Sequence, residues 1–145
     1  MATQYGSFTS VDEKPVTKNA TIRCLKRAKK LATIALCKGS YARDSQGLPC
    51  DEQSEKAACF CPMGAVIHVA GWKPVAHAAV WTLSKTLLKK MPNLIAQNSV
   101  QVWYDAYCQG VLEVEKLFDE AIKMCRLDVV KTGYEVRGRV ECSYP

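Results

Sequence analysis

The chain has 145 residues, 48% of them hydrophobic and 23% charged, with a net charge of +6. That length suits one domain, which would bury roughly two thirds of the surface its unfolded form exposes. No stretch approaches the roughly 18 to 20 apolar residues of a membrane helix, which argues against a membrane protein.

The charge is unevenly placed. Residues 1–40 hold eight Lys and Arg against Asp12 and Glu13, while the remaining residues carry twelve of each sign, so the whole excess lies at the N-terminal end. The opening MATQYGSFTSVDEKPVTKNA lacks the charged start, apolar block and small-residue cleavage site of a secretory signal. A cytoplasmic location is the resulting expectation. Residues 1–16 have no apolar periodicity and contain Pro15, which predicts a flexible arm.

The spacing predicts a helix from Thr17 or Asn19, both good N-cap types. Ile22, Leu25, Ala28, Leu31, Ala32, Ala35 and Leu36 would line one side, with Arg23, Lys26, Arg27, Lys29 and Lys30 opposite. Gly39 and RDSQGLP then mark a loop. A second helical segment is expected from about Ser54 to Ala70, stopped by Gly71. Pro62 interrupts it, either as a kink or as the first residue of a new helix. A third helix follows Pro74, with Ala76, Val80, Leu83, Leu87 and Leu88 inward, and ends at Lys89, Lys90 and MPN. The fourth region runs from about Asn98 to Arg126, with a break near Asp105 to Gly110. Leu112, Val114, Leu117, Phe118, Ala121, Ile122 and Cys125 supply its apolar face. From Asp128 the β-branched residues and glycines predict a small hairpin or an irregular tail. The expected fold is mainly α: a single-domain bundle of four to five helices over 17–127, an arm over 1–16, and a hairpin or tail over 128–145.

Eight cysteines, at 24, 37, 50, 59, 61, 108, 125 and 142, would suggest a disulfide framework in a secreted chain. Several fall inside apolar helical patterns, so they read mostly as buried thiols. Two stretches pair a cysteine with small residues: Cys37 with Gly39, and Cys61 with Gly64 and Ala65. Glycine within a helix costs about 1 kcal/mol relative to alanine, so Gly64 points to a close approach. The expectation is that Cys37–Ser40, at the end of the first helix, crosses the second near Cys61–Ala65.

Two chemical readings compete with packing. Cys50, Cys59, Cys61 and His68 form a tempting zinc set, but C-x-C on a helix points its sulfurs about 200° apart, and the chain has no C-x-x-C. A metal site is therefore not expected. Cys61, at a helix start beside Pro62, is the best nucleophile candidate, with His68 or His77 as imidazole; Cys37 is the other. Both histidines read more simply as helix-face residues.

The stretches LCKGSYARDSQGLP, AACFCPMGAVIHVAG and VWYDAY ahead of EVEKLFDEAIKM resemble a family of short bacterial and phage proteins of unknown function. Its members carry a Cys-x-Gly-small-x-Ala-Arg-Asp stretch, a Cys-x-x-Gly-Ala helix and a Trp-Asn-Asp motif. The match spans roughly residues 25–126, and Tyr104 stands where the family has Asn. The resemblance implies a compact helical domain of phage or mobile-element origin, and brings no activity. Arg43 and Asp44 read as a salt bridge or hydrogen-bonded turn, or else Arg43 binds an anion, with Asp105 nearby.

The leading functional reading is a non-enzymatic protein-binding module that occludes a host or phage protein. The cationic helix face would make the contact, with Trp72, Trp81, Trp103 and Tyr107 as candidate anchors. The alternative is nucleic-acid binding through Arg23, Lys26, Arg27, Lys29 and Lys30, although no nucleic-acid-binding motif accompanies them. A cysteine-dependent enzyme, or a ligand-binding domain using Arg43, is the third reading. No cofactor is expected, and the apolar last helix suits a monomer's core and a dimer equally.

Overall fold

The computed structural model describes residues 16–94 and 99–131, with side chains to Leu127. The expected arm and most of the C-terminal hairpin or tail lie outside the described residues. Among the described residues the fold is mainly α. The elements are α1 (Lys18–Ile34), β1 (Ala42–Arg43), β2 (Cys59–Phe60), α2 (Pro62–Ala70), α3 (Pro74–Lys90), α4 (Ser99–Ala106) and α5 (Val111–Lys131).

Thr17 caps α1, its hydroxyl accepting from the Ala20 N–H at 3.0 Å. The helix buries Ile22, Leu25, Ala28 and Ala32, a spacing that keeps one stripe inward. Its last residue is Ile34, so Cys37–Ser40 belong to the following bends and not to a helix. Proline starts both α2 and α3 at their first turn, where its missing N–H costs nothing. Of the two expectations for Pro62, the new helix is the one found. Residues 54–60 are turns and β2 instead of helix. Local side-chain bonds explain this: Asp51 accepts from the Gln53 N–H at 2.8 Å and Ser54 from the Lys56 N–H at 2.9 Å, competing with a helical ladder.

α5 packs against both α1 and α3, which also touch each other, and runs antiparallel to both. Lys29 meets Asp119, while Lys38 meets the Cys108 carbonyl. On the other side Lys90 pairs with Glu120 and Thr86 with Met124. Val114, Leu117, Phe118, Ala121 and Ile122 face the core, as the periodicity predicts. Leu112, expected inward, is 74% exposed, because at 100° per residue it falls about 180° from Ala121, off the stripe that Val114, Phe118 and Ala121 make. The helix also continues to Lys131, beyond the expected boundary at 127. No helix among the described residues is long and apolar enough to cross a membrane.

Candidate functional site

The chain between α1 and α2 makes a small ribbon that positions everything else. β1 pairs antiparallel with β2, joining Ala42 to Phe60 and Arg43 to Cys59. Leu36 bridges Phe60 in parallel on the other side. Asp44 shapes the intervening turn, its carboxylate accepting from the Gln46 and Leu48 N–H groups at 2.9 and 3.0 Å. The hydrogen-bonded turn is thus the form that the Arg43–Asp44 pair takes. Arg43 donates from Nε to the Lys38 carbonyl at 3.1 Å and from Nη1 to the Gly47 carbonyl at 2.9 Å. These bonds tie two bends together with the guanidinium that the alternative reading assigned to an anion. Asp105 is engaged elsewhere, both its oxygens accepting from Gln101 Nε2.

A close approach occurs at Gly64, but the partner differs from the expectation. A Cβ there would lie 1.9 Å from the Tyr41 carbonyl oxygen, so the ribbon backbone, not a crossing helix, fills the space beside α2. The contact follows from the Cys61 N–H donating to that same carbonyl at 3.1 Å. Ala65 is fully buried beside it. Gly39 serves a different purpose: its φ of +83° makes the bend, and a side chain would meet the Arg43 guanidinium. Cys37 contributes backbone to the ribbon, its N–H donating to the Phe60 carbonyl at 3.3 Å.

Cys61 caps α2, its sulfur accepting from the Gly64 N–H at 3.3 Å. The thiol donates in turn to Gln101 Oε1 at 3.6 Å. Gln101 and Asp105 border a cleft of about 240 Å³ with Tyr41 and Ser84. Cys61 is fully buried, and that burial pushes its thiol up to about 11 against the helix N–H groups that favour ionisation. Desolvation outweighs the helix terminus, and the best nucleophile candidate is kept neutral. His68 is spent elsewhere, donating to the Glu52 carbonyl at 2.7 Å and lying against the Phe60 ring. Among the described residues no group of three or more His, Cys, Asp or Glu is placed to hold a metal ion.

Tyr104 and Lys38 join the ribbon to α4, a link the sequence reading missed. The Tyr104 hydroxyl donates to the Cys37 carbonyl at 2.9 Å, a bond between residues 67 apart in the chain. Lys38 reaches the carbonyls of Tyr104 and Cys108 at 2.8 and 3.2 Å, a cation at the carboxyl end of α4. The adjacent Lys-Gly pair was the only available signal, and nothing local distinguishes it from a solvated lysine.

The cationic face of α1 divides in two. Lys29 turns toward α5 and pairs with Asp119 at 2.7 Å, and that hydrogen bond raises its pKa. Arg23, Lys26, Arg27 and Lys30 are exposed, with no ion pair among the described residues. At 100° per residue, Arg23, Arg27, Lys30 and Ile34 fall within about 60° of one another. Ile34 is 77% exposed, so the stripe ends in an uncovered apolar side chain. Of the candidate anchors, Trp103 is core, Trp81 is half-buried, and Trp72 and Tyr107 are more than half exposed.

A family description matches residues 17–124, from the α1 cap into α5. The chain belongs to DUF6197, a family of unknown function. The matched span takes in the whole ribbon and the basic stripe, so both are part of the DUF6197 domain. No curated protein and no solved structure matches the chain at a significant level.

Proposed function

We propose that this DUF6197 domain is a protein-binding module whose contact is the stripe formed by Arg23, Lys26, Arg27, Lys30 and Ile34. The carrying observation is the exposure of Ile34 at the end of four cations that have no ion pair among the described residues. Charges of one sign steer an oppositely charged partner and set its register, while an apolar side chain gains only when a partner removes it from water. Together they fit an acidic protein surface with an apolar pocket. Lys29 is left out of the contact because Asp119 already holds it. The resemblance of LCKGSYARDSQGLP and AACFCPMGAVIHVAG to bacterial and phage proteins supports an accessory role in the cytoplasm of a host cell, where the module would occlude the surface it binds.

Nucleic acid is the second reading, favoured by the same four cations. Phosphates would use the charges but not Ile34. Cross-linking in cells expressing the full chain, followed by identification of what is held, separates the two. A protein partner should be lost on Arg23→Glu with Arg27→Glu and Lys30→Glu, and weakened at least tenfold by Ile34→Asp. Nuclease-sensitive material that Ile34→Asp holds as well as the original chain would instead establish the nucleic-acid reading.

A further inference from the structure

We propose that the cleft between α2, α3 and α4 binds a small organic ammonium ion, its charge on Asp105 and its apolar body between the helices. Met63 of α2, Val80 of α3, and Val100 and Val102 of α4 give the cleft an apolar lining, which Tyr41 joins from the ribbon. The volume is about 240 Å³. That lies between the roughly 150 Å³ that accepts a benzene ring and the about 300 Å³ or more of a drug-sized site. One ring with a two-carbon arm fits such a space.

Two polar groups in the lining are left to meet a ligand. Ser84 is 4% exposed, and its hydroxyl makes no hydrogen bond to a described residue. A buried hydroxyl without a partner is costly, and a ligand in the cleft that Ser84 lines supplies one. Asp105 is the one charged residue of the lining. It is exposed, so it stands at the mouth, and it forms no ion pair with a described residue. An unpaired carboxylate beside an apolar wall selects a cation that carries hydrocarbon, because one contact meets the charge and removes the hydrocarbon from water.

The carboxylate is also held in place, in a way that chooses between cations. Gln101 Oε1 accepts from the buried Cys61 thiol at 3.6 Å, which turns Nε2 toward Asp105. Nε2 then lies 3.2 Å from Oδ1 and 3.1 Å from Oδ2. A nitrogen almost equidistant from both oxygens sits in front of the carboxylate, where a guanidinium fork would bind bidentately. Gln101 therefore blocks the fork and leaves the outer lone pairs, one of which suffices for the compact charge of an ammonium. The ligand is accordingly a protonated primary amine, either free or as the lysine side chain of another chain.

The test titrates the full chain with phenethylamine hydrochloride at near-neutral pH and constant ionic strength, following backbone amides by nitrogen-15 NMR. Saturable shifts confined to the amides around Ser84, Val100, Gln101 and Asp105 are expected. 2-Phenylethanol has the same ring and arm without the charge, and should bind about fivefold more weakly, as should phenethylguanidine. In Asp105→Asn the affinity for phenethylamine should fall to that for the alcohol. N-acetyl-lysine methylamide separates the two sources: tighter binding than phenethylamine assigns the cleft to a partner's lysine, weaker binding to a free amine, and either supports the ammonium site. Absence of saturable shifts with both amines, equal binding of the alcohol or the guanidine, or an unchanged affinity in Asp105→Asn overturns the proposal. The comparison of amine with alcohol uses the original chain, so it decides even if the variant fails to fold.

Discussion

Gly64 is where two backbones meet, and it carries the clearest prediction at the scale of one residue. A methyl group there must displace the Tyr41 carbonyl, which is backbone held by the Cys61 N–H. Overpacking costs typically 1–3 kcal/mol, and with no flexible side chain to yield, Gly64→Ala should lose about 3 kcal/mol in urea denaturation. Gly47 is the control: its φ is +85° but nothing lies within 4 Å of an added Cβ, so Gly47→Ala should lose only about 1–2 kcal/mol. Equal losses would contradict the close approach. Tyr104→Phe removes one bond to the Cys37 carbonyl and should cost about 1 kcal/mol by the same measurement; no loss would show the bond contributes nothing. The need for glycine at 64 was legible, because an apolar helix rarely carries one without reason. Its neighbour was not, since the Tyr41 carbonyl belongs to a ribbon of two-residue strands, too short to leave a periodic pattern.

At the scale of elements, burial of thiols in the α1–α2 region links stability to alkaline pH. Burial holds Cys24 and Cys61 up at about 11, against 9.0 for an ordinary thiol. The unfolded chain therefore releases these protons first. Stability is fully present below pH 9.0 and falls as pH rises toward about 11, where the folded thiols ionise as well. The urea midpoint should be lower at about pH 10 than at about pH 8, and an unchanged midpoint would mean the thiols are solvated. The helices themselves were largely legible. Pro74 marked one start and Gly71 one stop, while Thr17 and Pro62 were each one of two alternatives, because caps and breakers act through local backbone chemistry. Residues 54–60 misled because Ser54, Glu55, Lys56 and two alanines suit a helix, while Asp51 and Ser54 bond their own loop backbone.

At the scale of the molecule, the same α1 that gives a core stripe to the bundle leaves a cationic edge outside it. The amphipathic pattern placed Arg23, Lys26, Arg27 and Lys30 outward. It could not tell Lys29 from them, since the partner Asp119 lies ninety residues on, nor could it show Ile34 uncovered at the helix end. A stripe that serves binding and not folding can be reversed in charge without harm to the bundle. The most direct measurement compares the original chain with the Arg23→Glu, Arg27→Glu, Lys30→Glu variant, reading thermal melting and retention of the cross-linked partner on the same samples. An unchanged melting temperature with partner retention lost is the predicted result. A lowered melting temperature, or a partner held as before, would contradict the stripe as the contact surface.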